Sequence, residues 1–131
     1  MRLEPDRVFV MPARREMTLD GDIFHLRTTP GPADWRKTIN IFLCSLAEAK
    51  GRCVVAVILS GMDVDGCAAL ENIKAAGGVS FAQSDASYDS MPRHAMATGH
   101  VDFLLPAADI ARSLLKLGAC GEQYQAFRGP R

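Results

Sequence analysis

Residues 54–70 read V-V-A-V-I-L-S-G-M-D-V-D-G-C-A-A-L: an apolar run, a glycine, two aspartates separated by one residue, and a second glycine opening an amphipathic stretch. The aspartates, Asp63 and Asp65, are the residues whose type and spacing suit chemistry. Gly61 and Gly66 let the backbone turn tightly, and Asp65-Gly66 stands where a helix begins. A carboxylate there is stabilised by free backbone N–H groups and the positive end of the helix dipole. Beyond the end of a strand, a carboxylate so held is placed for function. It can equally be no more than a helix cap, and composition and spacing leave the two roles open.

The remaining reactive side chains give weaker signals. Cys67 sits at the expected helix N-terminus, a place that lowers a thiol pKa, yet no histidine is adjacent in sequence, and burial is the expectation. Cys44, Cys53, Cys67 and Cys120 form no C-x-x-C pair and no ligand spacing with His25, His94 or His100. Reduced, buried thiols follow, with no metal and no cofactor expected. Ser45 lies inside a helical pattern and reads as a packed polar residue, not a nucleophile.

These residues must be positioned by alternating strands and helices. Residues 7–11 and 22–27 read as strands with Asp20-Gly21 as the turn signal between them, a hairpin-like start. Residues 28–37 form a loop. From about Trp35 to Lys50, Ile39, Phe42, Leu43 and Leu46 follow helical spacing, and Gly51 supplies a stop. Residues 53–60 lack alternation, as in a strand covered on both faces at the centre of a parallel sheet. A helix over 67–78, a strand over 79–83, a short helix over 91–99, a strand over 101–106 and a helix over 107–118 complete the chain. The order predicts an α/β fold, a doubly wound parallel sheet with helices on both faces. In such folds the functional crevice lies beyond the carboxyl ends of the strands, where S-G-M-D-V-D-G falls.

Composition narrows the class. The chain has 131 residues, 48% of them hydrophobic, and a formal net charge of zero. That is one domain's worth, with a core, and no charge excess to suit nucleic acid or a membrane surface. No apolar run approaches the roughly 20 residues that span a bilayer, and the N-terminus is unlike a signal peptide, so a cytoplasmic location is expected. Residues 1–118 are expected to form the domain and 119–131 a tail.

Several ordered motifs then add a resemblance. V-I-L-S-G-M-D-V-D-G, A-A-G-G-V-S-F-A-Q-S-D-A-S, M-P-R-H-A and G-H-V-D resemble, in order, the C-terminal half of the CheB family of chemotaxis protein-glutamate methylesterases. The likeness runs nearly uninterrupted over residues 53–112 and more weakly upstream through R-L-E-P-D-R-V-F-V-M-P-A. It implies a Ser-His-Asp triad that hydrolyses glutamate methyl esters on chemoreceptors. It makes Asp65 the triad acid and the backbone N–H of Met62 an oxyanion donor. A methylated chemoreceptor or related signalling protein is the implied partner.

The departures are as informative. The family's serine and histidine lie upstream of the segment matched here, and His25, His94 and His100 match neither position. Asp63 stands where the family has glycine, Ser60 where it has threonine, and Lys37, Thr38 and Asn40 where it has Pro, Ser and Asp. The expectation is the acid-bearing part of a methylesterase domain, inactive alone and covering its exposed sheet by self-association or with a partner supplying the absent part. The alternative is a degenerate binding or assembly module, since a carboxylate at position 63 beside the oxyanion site opposes catalysis. A third reading takes D-x-D-G as similar to haloacid-dehalogenase-like phosphotransferases. There Asp63 would be the nucleophile, but Ser60-Gly61-Met62 separates it from the strand and no downstream carboxylate pair completes a magnesium site.

Overall fold

The computed structural model describes residues 1–28, 37–61 and 66–119. In chain order its elements are strands β1 (Arg15–Asp20) and β2 (Ile23–Thr28), helix α1 (Thr38–Lys50), a 3-10 turn (Gly51–Cys53), strand β3 (Val55–Ile58), helix α2 (Ala69–Ala75), strand β4 (Val79–Gln83), helix α3 (Ser90–Ala97), strand β5 (Phe103–Leu105) and helix α4 (Ala107–Ala119).

β1 and β2 form an antiparallel hairpin. The expected turn is present, but the first strand is the segment directly before it, not residues 7–11. The reason lies in which side chains have somewhere to go. Phe9 packs on Phe24 with ring centroids 4.7 Å apart, whereas Val8 and Val10 are 92% and 82% exposed. In β1, Met17 and Leu19 are buried, and Glu16 is held by its cross-strand partner Arg27, whose Nε lies 2.9 Å from Oε2. Glu16 lies on the face opposite Met17 and Leu19, under the exposed Arg27 side chain, and only those two apolar residues mark the strand's core face. The hairpin rests on α1 through Met17, Leu19 and Phe24 against Phe42, Leu46 and Ala49. Ser45 joins the two: its Oγ accepts the Leu19 N–H at 3.0 Å and donates to the Phe42 carbonyl at 2.7 Å. At Gly51, φ is +49° and the backbone N–H closes on the Ala47 carbonyl, ending α1 where a left-handed residue is needed.

The second sheet is parallel, in the order β3-β4-β5, with Val57 opposite Phe81 and Phe81 opposite Phe103. Helices lie on both of its faces. On one, Ala56 and Ile58 pack with Ala47, Cys67, Leu70, Ile73 and Ala95 beneath α1, α2 and α3. On the other, Val79 and Phe81 pack with Ile110 and Leu117 of α4, flanked by Val55, Val57 and Phe103. Burying a side chain such as Phe81, Leu70 or Ile73 is worth about 1.5–3 kcal/mol, and all three are wholly enclosed.

The central strand is therefore β4, whose Val79, Ser80, Phe81 and Ala82 are all buried, and not the expected 53–60 segment. β3 pairs only with β4 among the described residues, and Val55 and Val57 are half-buried, because one helix alone covers that face. Cys53, expected to be buried, is exposed, Cys44 is intermediate and Cys67 is buried. Cys120 and the rest of 120–131 lie outside the described residues, as do 29–36. No helix among the described residues is long and apolar enough to cross a membrane.

Candidate functional site

Ser60 and Gly61 leave the carboxyl end of β3 and are clasped by the approach to α3. The Ser60 hydroxyl accepts the Tyr88 N–H at 3.1 Å and donates to the Tyr88 carbonyl at 3.2 Å. The Gly61 N–H donates to the same carbonyl at 2.8 Å, and the Gly61 carbonyl accepts the Met91 N–H at 3.0 Å. Both backbone groups of Gly61 are thus committed to one neighbouring segment. A Cβ there would stand 2.4 Å from the Met91 Sδ, so only glycine permits this approach without displacing the methionine.

Beyond the acidic segment, Gly66 has φ of +91°, and a Cβ on it would meet the Ile39 Cγ2 at 2.9 Å. At the N-cap of the helix that follows, Ala68 offers no side-chain acceptor. Asn40 on α1 supplies one: its Oδ1 accepts the Ala69 N–H at 2.7 Å. Cys67 is enclosed in the core, with its Sγ 3.9 Å from the Met91 carbonyl. Met62, Asp63 and Asp65 lie in residues 62–65, outside the described residues. Their two flanks, Gly61 and Gly66, are both fixed, one to α3 and the other against α1.

Next to Ser60, Gln83 at the end of β4 accepts the Ser60 N–H at 2.9 Å and donates to Asp85 at 3.0 Å. That hydrogen bond, followed by one from the Ala107 N–H, holds the Asp85 carboxyl below its ordinary value. A shallow groove of about 280 Å³ runs from Gln83 and Asp89 past Arg93 to Met96 and Leu104, with Arg93 and Asp89 paired at 2.7 Å on its rim. A separate cavity of about 440 Å³ is lined by Val8, Phe9, Val10, Met17, Phe24 and Leu26, far from any of these polar groups.

The histidines do not converge here. His25 is exposed on β2, and the His94 Nδ1–H donates to the Ser90 carbonyl of its own helix at 2.6 Å. His100 precedes β5 and its carbonyl accepts the Ser80 hydroxyl at 2.8 Å. Among the described residues no three His, Cys, Asp or Glu side chains are grouped to hold a metal ion.

A parallel sheet covered on both faces, with an acidic segment between Gly61 and Gly66 following a strand's carboxyl end, defines an α/β domain of the kind that holds ligands in that crevice. The family model for CheB methylesterase matches residues 1–114, and the chain belongs to that family. A protein-glutamate methylesterase/protein-glutamine glutaminase of Burkholderia pseudomallei is 33% identical over 131 residues, covering 95% of this chain and 36% of the relative. An uncharacterized 104.1 kDa protein of Rhodobacter capsulatus is 44% identical over 110 residues, which are 80% of this chain and 11% of that protein. The crystal structure of the Thermotoga maritima CheB methylesterase catalytic domain matches with a TM-score of 0.80 and 26% identity, over 89% of this chain and 65% of that one. The chain thus spans about a third of the length of the curated methylesterase it matches.

Nothing in the local sequence marks Asn40, Gln83 and Tyr88 as residues that hold this site. Their partners stand 29, 23 and 28 residues away, so no local spacing reports them. The one available signal was position: Gln83 ends a predicted parallel strand, where the crevice must lie.

Proposed function

We propose that residues 1–118 form the acid-bearing part of a protein-glutamate methylesterase domain, in which Asp65 is the triad acid and the Met62 N–H an oxyanion donor. The serine and histidine of that triad belong to sequence outside these 131 residues. In this reading Asp65 accepts the imidazole N–H, fixes its tautomer and balances the imidazolium formed as the serine gives up its proton. The serine Oγ attacks the ester carbonyl, the Met62 N–H stabilises the tetrahedral oxyanion, and the imidazolium returns its proton to departing methanol. Water then releases the glutamate carboxylate. The relatives' names pair this ester chemistry with glutamine deamidation, which the same geometry serves with ammonia leaving.

The observation carrying the reading is that the family's glycine-flanked segment connects two built anchors, Gly61 tied to Tyr88 and Met91 and Gly66 packed on α1, at the carboxyl edge of a parallel sheet. The substrate would be a methylated chemoreceptor or related signalling protein, met in the cytoplasm. The uncovered edge of β3 would be occupied by the rest of the domain, on a partner chain or, failing one, by self-association.

Methanol release from a methylated receptor, measured with the native protein that contains this chain, tests the proposal. Asp65→Asn is expected to lower turnover about 10⁴-fold, and the 131-residue chain alone should release no methanol above the solvent rate. Unchanged turnover in Asp65→Asn overturns the assignment. A native protein that binds receptor without hydrolysing it favours the degenerate module instead, for which Asp63 in place of glycine is the specific argument. Magnesium-dependent phosphatase activity lost in Asp63→Asn would favour the phosphotransferase reading.

A further inference from the structure

One carboxamide links three elements at the carboxyl edge of the sheet. Gln83, the last residue of β4, accepts the Ser60 N–H on Oε1 at 2.9 Å and donates from Nε2 to the Asp85 Oδ1 at 3.0 Å. The same Asp85 oxygen accepts the N–H of Ala107, the first residue of α4, at 3.1 Å. Ser60 is also gripped from its other side by Tyr88 through its hydroxyl. The end of β3 is therefore held from two directions, by β4 through an amide and by the lead-in to α3 through a hydroxyl.

We infer that Gln83 is a positioning residue for the end of β3: its carboxamide sets the spacing between the ends of β3 and β4 and the start of α4, and with it the placement of Ser60 and Gly61, from which the acidic segment continues. The catalytic consequence rests on the methylesterase reading. The chemistry requires an amide. Gln83 must accept from a backbone N–H on one side and donate to a carboxylate on the other, which a glutamine does at once. An ionised glutamate accepts but cannot donate and faces Asp85 with like charge, while a methionine fills the space and does neither. Ser60 and Asp85 are exposed, so water can satisfy either if the amide is lost. What the amide contributes is geometry more than stability, and a misplacement of about 1 Å near reacting groups costs on the order of 10²-fold in rate.

Amide hydrogen exchange on the 131-residue chain, combined with turnover of the native protein, tests this. In Gln83→Met, the Ser60 amide should exchange roughly tenfold faster while the core amide of Phe81 stays protected. Turnover should show kcat lowered about 10- to 100-fold with KM within about twofold. In Gln83→Glu the acceptor survives, so Ser60 should keep its protection while Ala107 loses it. Acidification should restore Ala107, because a protonated glutamate regains the donor. A residue that merely supports the fold would show neither this division nor its pH dependence. Should Gln83→Met fail to fold, Gln83→Glu carries the test. Ser60 exchange unchanged in Gln83→Met, or Ala107 exchange unchanged in Gln83→Glu, overturns the inference. Unchanged turnover in Asp65→Asn overturns instead the methylesterase reading, and the exchange result is independent of it.

Discussion

The side chain of Asn40, on α1, accepts the backbone N–H of Ala69 at 2.7 Å and so caps a helix that begins 29 residues later in the chain. α2 has only seven residues and no side-chain acceptor at its N-cap Ala68, so it borrows a side-chain cap across a tertiary contact. Asn40→Ala should cost about 1 kcal/mol, read as a lowered urea midpoint with unchanged slope. Asn40→Asp, which keeps the acceptor and adds charge at a helix N-terminus, should be neutral or slightly stabilising. Equal destabilisation by the two variants would show that the hydrogen bond is not what matters.

Gly61 and Gly66 flank the same segment for different reasons, and mutation should separate them. At Gly61 the obstacle to a Cβ is the thioether of Met91, 2.4 Å away at the flexible end of a side chain. Gly61→Ala should therefore be largely rescued in combination with Met91→Ala, as a favourable coupling energy of at least about 0.5 kcal/mol. At Gly66 the backbone itself, with φ of +91°, excludes a Cβ. Gly66→Ala should cost more than about 1 kcal/mol whether or not Ile39 is trimmed to alanine. Rescue by Ile39→Ala would place the constraint in packing.

Two exposed carboxyls should shape the acid limb of stability. Asp85 is held below its ordinary value of 3.8 first by the Gln83 amide and then by the Ala107 N–H. Asp22 is held below the same value by its hydrogen bond to the Lys50 ammonium and then by that group's charge. A group whose folded pKa is depressed contributes fully above its unfolded pKa and loses that contribution as pH falls through the folded one. Stability should decline from about pH 5 downward, and Asp22→Asn with Asp85→Asn should flatten the decline. An acid profile identical in parent and double variant would contradict this.

β3 presents a strand edge without a neighbour among the described residues and two half-buried valines, Val55 and Val57. Unprotected edges and apolar faces drive association. The purified 131-residue chain should sediment as a dimer or larger at micromolar concentration, or else bind a hydrophobic dye. A folded monomer that binds no dye would show that the chain closes its own core.

Much of the α/β order was legible in the residues themselves. The strand over 79–83 needs no correction, since V-S-F-A-Q follows Gly77-Gly78 and gives way to the polar Ser84-Asp85, and α1 ends at Gly51 as its glycine demands. The helical spacings of 107–118 and 91–99 likewise recur as α4 and α3. β1 was not legible, because Met17 and Leu19 are its only apolar residues and their burial depends on α1, which lies more than 20 residues further along the chain.

The sequence by itself determined the alternation of strands and helices, the turn at Gly21, and the motif order that marks the family, because these depend on contacts or spacings within a few residues. Only the tertiary structure decided that β4 and not β3 is the enclosed strand, since burial depends on how many helices reach each face. It also decided that Asn40, Gln83 and Tyr88 hold the flanks of the acidic segment. Those bonds join groups separated by 23 to 29 residues, and they form only once the fold has brought distant parts of the chain within about 3 Å of each other.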